Sequence, residues 1–154
     1  MSNKRILHDN GAGGLAIIIP APKYVQEMLK LNPNMTEAQV IDYIAQKDAP
    51  GKQCEVVDVA DIPTDRTFRD AWEHDTTPAP EKVRTNMGKA KAIAHDFRRA
   101  KRNADFAPLD VQATIPAQAA AAETARQAIR DADAIKQAAI DAATTEAELK
   151  SLVV

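Results

Sequence analysis

The sequence predicts an α+β protein: a small β-sheet head with short helices over residues 1–77, then a predominantly α-helical region over residues 78–154. Three observations predict it. Most β-branched and aromatic side chains fall before Asp75, whereas alanine supplies 15 of the 35 residues from 113 to 147. The charge changes sense as well, with 8 basic and 12 acidic residues up to Asp75 and 12 basic and 10 acidic after it. Thr76, Thr77, Pro78, Ala79 and Pro80 separate the two regimes, and the two prolines favour an extended connector.

The head is predicted element by element. Residues 4–8 and 15–19 form two strands, the second rich in β-branched side chains and ended by Pro20. Gly11, Gly13 and Gly14 between them supply the positive-φ positions of a hairpin turn. They do not form a phosphate loop, because no Gly-Lys-Ser/Thr ending is present and a strand rather than a helix follows. Residues 24–31 predict a short helix with Val25, Met28 and Leu29 on one side. Thr36 and Gln39 have the spacing of a capping box, in which the hydroxyl and the amide satisfy free N–H groups at a helix start. The helix they open carries Val40, Ile41 and Ile44 on one face and stops near Pro50 and Gly51. Residues 53–59 predict a third strand, closed by Ile62 and Pro63. The order β-β-α-α-β gives a small sheet with helices on one face.

In the second region, Val83, Met87, Ala90, Ala94 and Phe97 recur at steps of four and three, an amphipathic stripe over residues 81–102. Pro108 and Pro116 mark breaks. Residues 117–143 have high helix propensity, because alanine loses almost no side-chain entropy. Ile129, Ile135 and Ile140 are too sparse to form a core of their own, so this helix needs a partner surface. A helical hairpin and an extended arm both satisfy that need. A last turn restarts at Thr144, with Leu149, Leu152 and Val153 as its apolar contacts.

Composition excludes several classes of function. Twenty Lys and Arg stand against 22 Asp and Glu, a balance that argues against nucleic-acid binding through bulk charge. A single cysteine excludes a disulfide framework and multi-cysteine metal sites, and suits a reducing cytoplasm. The longest apolar run, residues 15–19, falls far short of a membrane span. The opening residues, though basic, lack the apolar stretch of a secretory signal.

Candidate chemistry is sparse. Cys54 is one possible nucleophile, but His8, His74 and His95 stand in no recognisable signature beside it, and strand alternation equally buries it as a small hydrophobe. The histidines are too scattered for a metal site. Asp58, Asp61 and Asp65 lack the glycine and closing glutamate of a calcium loop. No catalytic, cofactor-binding or metal-binding residue is therefore assigned. Residues 81–102 hold 8 basic and 2 acidic side chains, densest at Arg98, Arg99, Lys101 and Arg102. These four make either a solvated helix face or a contact for an acidic partner subunit. The least generic stretch is residues 63–73, with Arg66, Phe68, Arg69 and the sole tryptophan, Trp72. Its aromatics serve equally well as head core or as interface anchors, since Trp and Arg are favoured at interfaces.

That stretch, Asp61-Ile62-Pro63-Thr64-Asp65-Arg66-Thr67-Phe68-Arg69-Asp70-Ala71-Trp72-Glu73, resembles a group of small proteins from tailed bacteriophages and prophages. They share a D-[IL]-P-x-D-R-T-F-R-[ND]-A-W-E block after a short β-containing head. The resemblance continues through Lys89-Ala90-Lys91-Ala92-Ile93 and the closing Thr144-Thr145-Glu146-Ala147-Glu148-Leu149-Lys150, so it spans nearly the whole chain. Residues 24–34 depart from it as an insertion, and Pro108 stands where helix is expected. The resemblance implies a non-enzymatic virion structural protein, tail- or fibre-associated, assembled in the host bacterial cytoplasm. Its implied partners are other phage structural proteins and copies of itself, with no membrane, nucleic acid, cofactor or small-molecule substrate. The alternative is a tail or fibre assembly chaperone absent from the finished particle. In both cases Arg66, Phe68, Arg69, Trp72, Arg98, Arg99, Lys101 and Arg102 are the candidate partner contacts.

Overall fold

The structure, a computed structural model, describes residues 3–78 and 81–153. It is α+β, and the chain divides into two compact units, Met1–Asn86 and Met87–Val154. The expected junction at residue 78 thus moves to residue 86. Ala79 and Pro80 of the expected connector lie outside the described residues.

In unit 1, β1 (Lys4–Asp9) is the middle strand of an antiparallel sheet, between β2 (Leu15–Ile18) and β3 (Glu55–Asp58). The β1–β2 turn is held by Asn10, whose Oδ1 accepts from the N–H groups of Ala12 and Gly14 at 2.8 and 3.0 Å. Gly11 and Gly13 sit at φ +85° and +70°, where an L side chain strains the backbone. Helices α1 (Pro22–Leu31) and α2 (Glu37–Asp48) follow β2. The capping box forms as expected: Thr36 Oγ1 accepts from Gln39 N–H, and Gln39 Oε1 accepts from Thr36 N–H.

Strand alternation sends successive β1 side chains to opposite faces. Ile6 packs with Val25, Val40, Ile41 and Ile44, so the helices cover that face. Leu7, on the other, joins Val57, Ile62 and Trp72, with Leu15, Ile17 and Val83 against them. Trp72 and Val83 belong to a second hairpin, β4 (Trp72–His74) paired antiparallel with β5 (Val83–Thr85). Helices cover one face, as expected, and this hairpin covers the other. Val83 is therefore a strand residue and not the start of a helix. Its spacing to Met87 fits a helical stripe, but the N–H of Asp75 reaches the carbonyl of Lys82 at 3.0 Å and closes a hairpin instead.

Unit 2 is a helical hairpin rather than an extended arm. Helix α3 (Met87–Gln112) turns through residues 113–118 into α4 (Ala119–Ala142), and α5 (Glu146–Val153) packs on both. Pro116 lies in the turn as expected, whereas α3 runs through Pro108 without ending. Ala90, Ala94, Ala122, Ile140 and Leu149 are buried. Phe97, expected on the buried stripe, is exposed, as is Ile135. No described helix is long and apolar enough to cross a membrane.

Candidate functional site

Residues 63–73 fold as a series of tight turns. Asp65 Oδ1 accepts from both the N–H and the hydroxyl of Thr67, at 2.9 and 2.7 Å. The N–H of Arg69 bonds the carbonyl of Arg66, and that of Ala71 bonds Phe68. A 3₁₀ turn over Arg69–Ala71 then delivers Trp72 into β4. This winding sinks Phe68 and Trp72 and leaves Arg66 and Arg69 exposed. Phe68 and Trp72 are consequently core residues and not surface anchors, which resolves the two readings their chemistry allowed. Trp72 fills the space beneath Leu7, and burying a side chain of that size outweighs its one defect, an indole N–H with no hydrogen-bond partner. Arg66 and Arg69 form no ion pair among the described residues. The segment thus displays two exposed arginines, three positions apart in sequence, on a base held by buried aromatics.

The basic cluster of α3 has a different fate. Arg98 is buried, and its guanidinium pairs with Asp133 of α4, which also accepts from Arg102 Nη1 at 3.1 Å. Arg99 pairs with Asp96 at 2.5 Å and Lys101 with Asp105 at 2.6 Å. All four expected partner contacts are therefore matched by carboxylates of their own unit, and Arg98 and Arg102 are structural. For Arg98 and Arg102 the physical reason is antiparallel register, and for Arg99 and Lys101 it is helical spacing within α3. Lys91 donates to the Asp141 carbonyl at 2.7 Å, His95 pairs with the Asp141 carboxylate, and Arg126 of α4 pairs with Asp110. The Arg102 and Arg130 guanidinium groups each lie over the Phe106 ring, 6.0 Å from its centroid. The excess positive charge of α3 is thus answered mainly by acids from α4 and from the end of α3.

The remaining reactive groups of unit 1 have partners of their own. His74 Nε2 faces Glu55 at 3.4 Å, while His8 bonds the Asp9 carbonyl. Cys54 packs against the helix-side cluster of the sheet, and burial pushes its thiol pKa up, the opposite of what a nucleophilic thiolate needs. Asp58 pairs with Lys4, and Asp61 caps the N–H of Asp58. Among the described residues no group of three or more His, Cys, Asp or Glu side chains is placed to hold a metal ion. Compared with protein-family models, curated proteins and solved structures, the chain matches none.

The sheet has one surface that the sequence analysis did not single out. β2 and β3 are both edge strands, but they differ in chemistry. β3 carries Glu55 and Asp58, and the Asp61 carboxylate occupies the outward N–H of Asp58. β2 reads Leu15, Ala16, Ile17, Ile18 without a charge, and Ile19 beyond it is 64% exposed. Reading side chains alone misses this surface, because the groups left open belong to the backbone.

Proposed function

We propose that the chain is a non-enzymatic structural protein of a tailed-phage particle, tail- or fibre-associated, that joins other phage structural proteins. The observation that carries this reading is the Arg66–Arg69 pair. In the stretch that resembles the phage proteins, the two most sequence-specific cations are exposed and unmatched, while the aromatics between and after them are buried. A rigid base lowers the entropy lost when such side chains are captured by an acidic partner surface. The raised thiol pKa of Cys54 supports a binding role over catalysis.

Mass spectrometry of density-purified particles beside infected-cell lysate tests it. Stoichiometric presence in particles is expected. Presence in lysate alone overturns virion residence and favours the assembly chaperone. The double variant Arg66→Ala/Arg69→Ala is expected to keep its fold and lose incorporation into particles. Incorporation at the normal level would remove these arginines from the contact.

A further inference from the structure

We propose that Asn10 is a site of self-modification, in which the Gly11 nitrogen attacks the Asn10 side-chain amide, ammonia leaves, and the β1–β2 turn converts to an aspartyl or isoaspartyl linkage. Such chemistry needs an unshielded neighbouring N–H, a base for its proton, and donors for the oxygen that gains charge. The turn supplies all three. Asn10 is the only asparagine followed by glycine, so no side chain shields the attacking nitrogen. The Gly11 N–H donates to Asp9 Oδ1 at 2.5 Å, which sets a carboxylate on the proton that must leave. Asn10 Oδ1 accepts from the N–H groups of Ala12 and Gly14 at 2.8 and 3.0 Å. These donors aim at the oxygen that becomes negative when Cγ turns tetrahedral, as an oxyanion hole does. They also fold the side chain back along the Gly11 peptide, where an unheld asparagine samples many rotamers.

The reaction balances with water as the sole added reagent. The Gly11 nitrogen bonds Cγ as its proton passes to the Asp9 carboxylate. That proton then goes to Nδ2, the Cγ–Nδ2 bond breaks, and ammonia departs to leave a succinimide. Water opens the ring at either carbonyl. One opening leaves an aspartyl residue in an ordinary backbone. The other leaves an isoaspartyl residue, whose backbone runs through Cβ and is longer by a methylene. Asp9 to Gly13 are exposed, so water reaches the ring. A Cβ on Gly11 would lie 3.3 Å from Lys52 Nζ, so an ammonium stands beside the turn as negative charge develops there. The isoaspartyl product bears on the fold, because its extra methylene falls inside the turn that the Asn10 N–H closes on the Gly14 carbonyl and that sets the pairing of β1 with β2. The inference stands on this turn alone and is independent of residence in a particle.

Timed incubation of the full chain at neutral pH tests it, with peptide mapping by mass spectrometry to read amide-to-acid conversion at each asparagine and isoaspartyl content at position 10. A synthetic peptide spanning residues 5–17 is the unfolded reference. Conversion is expected at Asn10 ahead of every other asparagine, and about tenfold faster in the folded chain than in the peptide, because only the fold holds base and donors in place. Asp9→Ser removes the carboxylate at an exposed position without adding an amide. It is expected to slow the folded chain about tenfold and to leave the peptide nearly unchanged. Circular dichroism of the variant confirms that the comparison is between folded chains. A folded chain that converts no faster than the peptide, conversion led by another asparagine, or a folded Asp9→Ser chain that keeps the wild-type rate would each overturn the inference.

Discussion

The two units solve the same problem with different materials. Unit 1 buries large apolar side chains, Ile6, Leu7, Val40, Val57 and Trp72 among them, drawn from strands and helices on both sides of one sheet. Unit 2 has few such side chains, and its helices meet through alanine and through carboxylate–cation pairs such as Arg98–Asp133 and Arg126–Asp110. Apolar burial is insensitive to salt and acid to first order, whereas ion pairs answer to both. The difference makes each unit separately addressable, and the sole tryptophan lies in unit 1 while the long helices of unit 2 dominate the helical signal.

The largest effect expected is at Trp72. Trp72→Ala leaves a cavity under Leu7 and is expected to cost about 3–5 kcal/mol, read by denaturant unfolding. Trp72→Phe keeps most of the apolar volume and discards the unsatisfied N–H, so it is expected to cost far less. Equal losses from both variants would break the reading of this site as packing.

Next comes the ion pair. Arg98→Ala strips a buried carboxylate of one of its two partners and is expected to cost about 2 kcal/mol, since Arg102 remains. Replacing both members, Arg98→Met with Asp133→Leu, is expected to recover most of that loss, as burying matched apolar groups often does. Failure of the double variant to recover would show that the pair holds the hairpin by more than charge neutralisation.

A smaller change sharpens the contrast from the other side. Thr36→Ala removes the hydroxyl cap of α2 and is expected to cost about 1 kcal/mol, with no dependence on salt.

The smallest effect concerns acid. The Glu148 carboxylate accepts from the N–H groups of Thr144 and Thr145 at 2.6 and 3.1 Å, and these bonds hold its pKa below the ordinary 4.5. A carboxyl whose folded pKa is depressed adds stability above its unfolded value and loses it as pH falls through the folded one. The start of α5 is therefore expected to loosen below pH 4.5. Glu148→Gln should flatten that part of the acid titration of helicity. An unaltered titration would move the acid sensitivity elsewhere in unit 2.

Much of unit 1 was legible because its signals are local. The Asn10–Gly14 turn, the Thr36 capping box and the β-branched run after Gly14 each declare themselves within a few residues. The β4–β5 hairpin did not, since Val83 and Met87 are spaced as on a helix and the strand that captures Val83 lies about ten residues upstream. The role of Trp72 depended on whether Leu7, distant in sequence, left room for it. In unit 2 the helices and the Pro116 turn were legible, but the destination of the basic residues was not. Arg98 and Asp133 are 35 positions apart, and no periodicity within α3 shows that α4 will set an aspartate against it. Pro108 misled for the same reason: its cost to a helix is local, and the packing of α3 on α4 outweighs it.

The order of synthesis gives the sheet topology one more consequence. β1 is made before its neighbours, yet it becomes the middle strand, and β3 emerges only after both intervening helices. At typical elongation rates that interval lasts roughly 3–10 s. Throughout it the β1–β2 hairpin has Ile6 and Leu7 without their later cover and an open edge on each side.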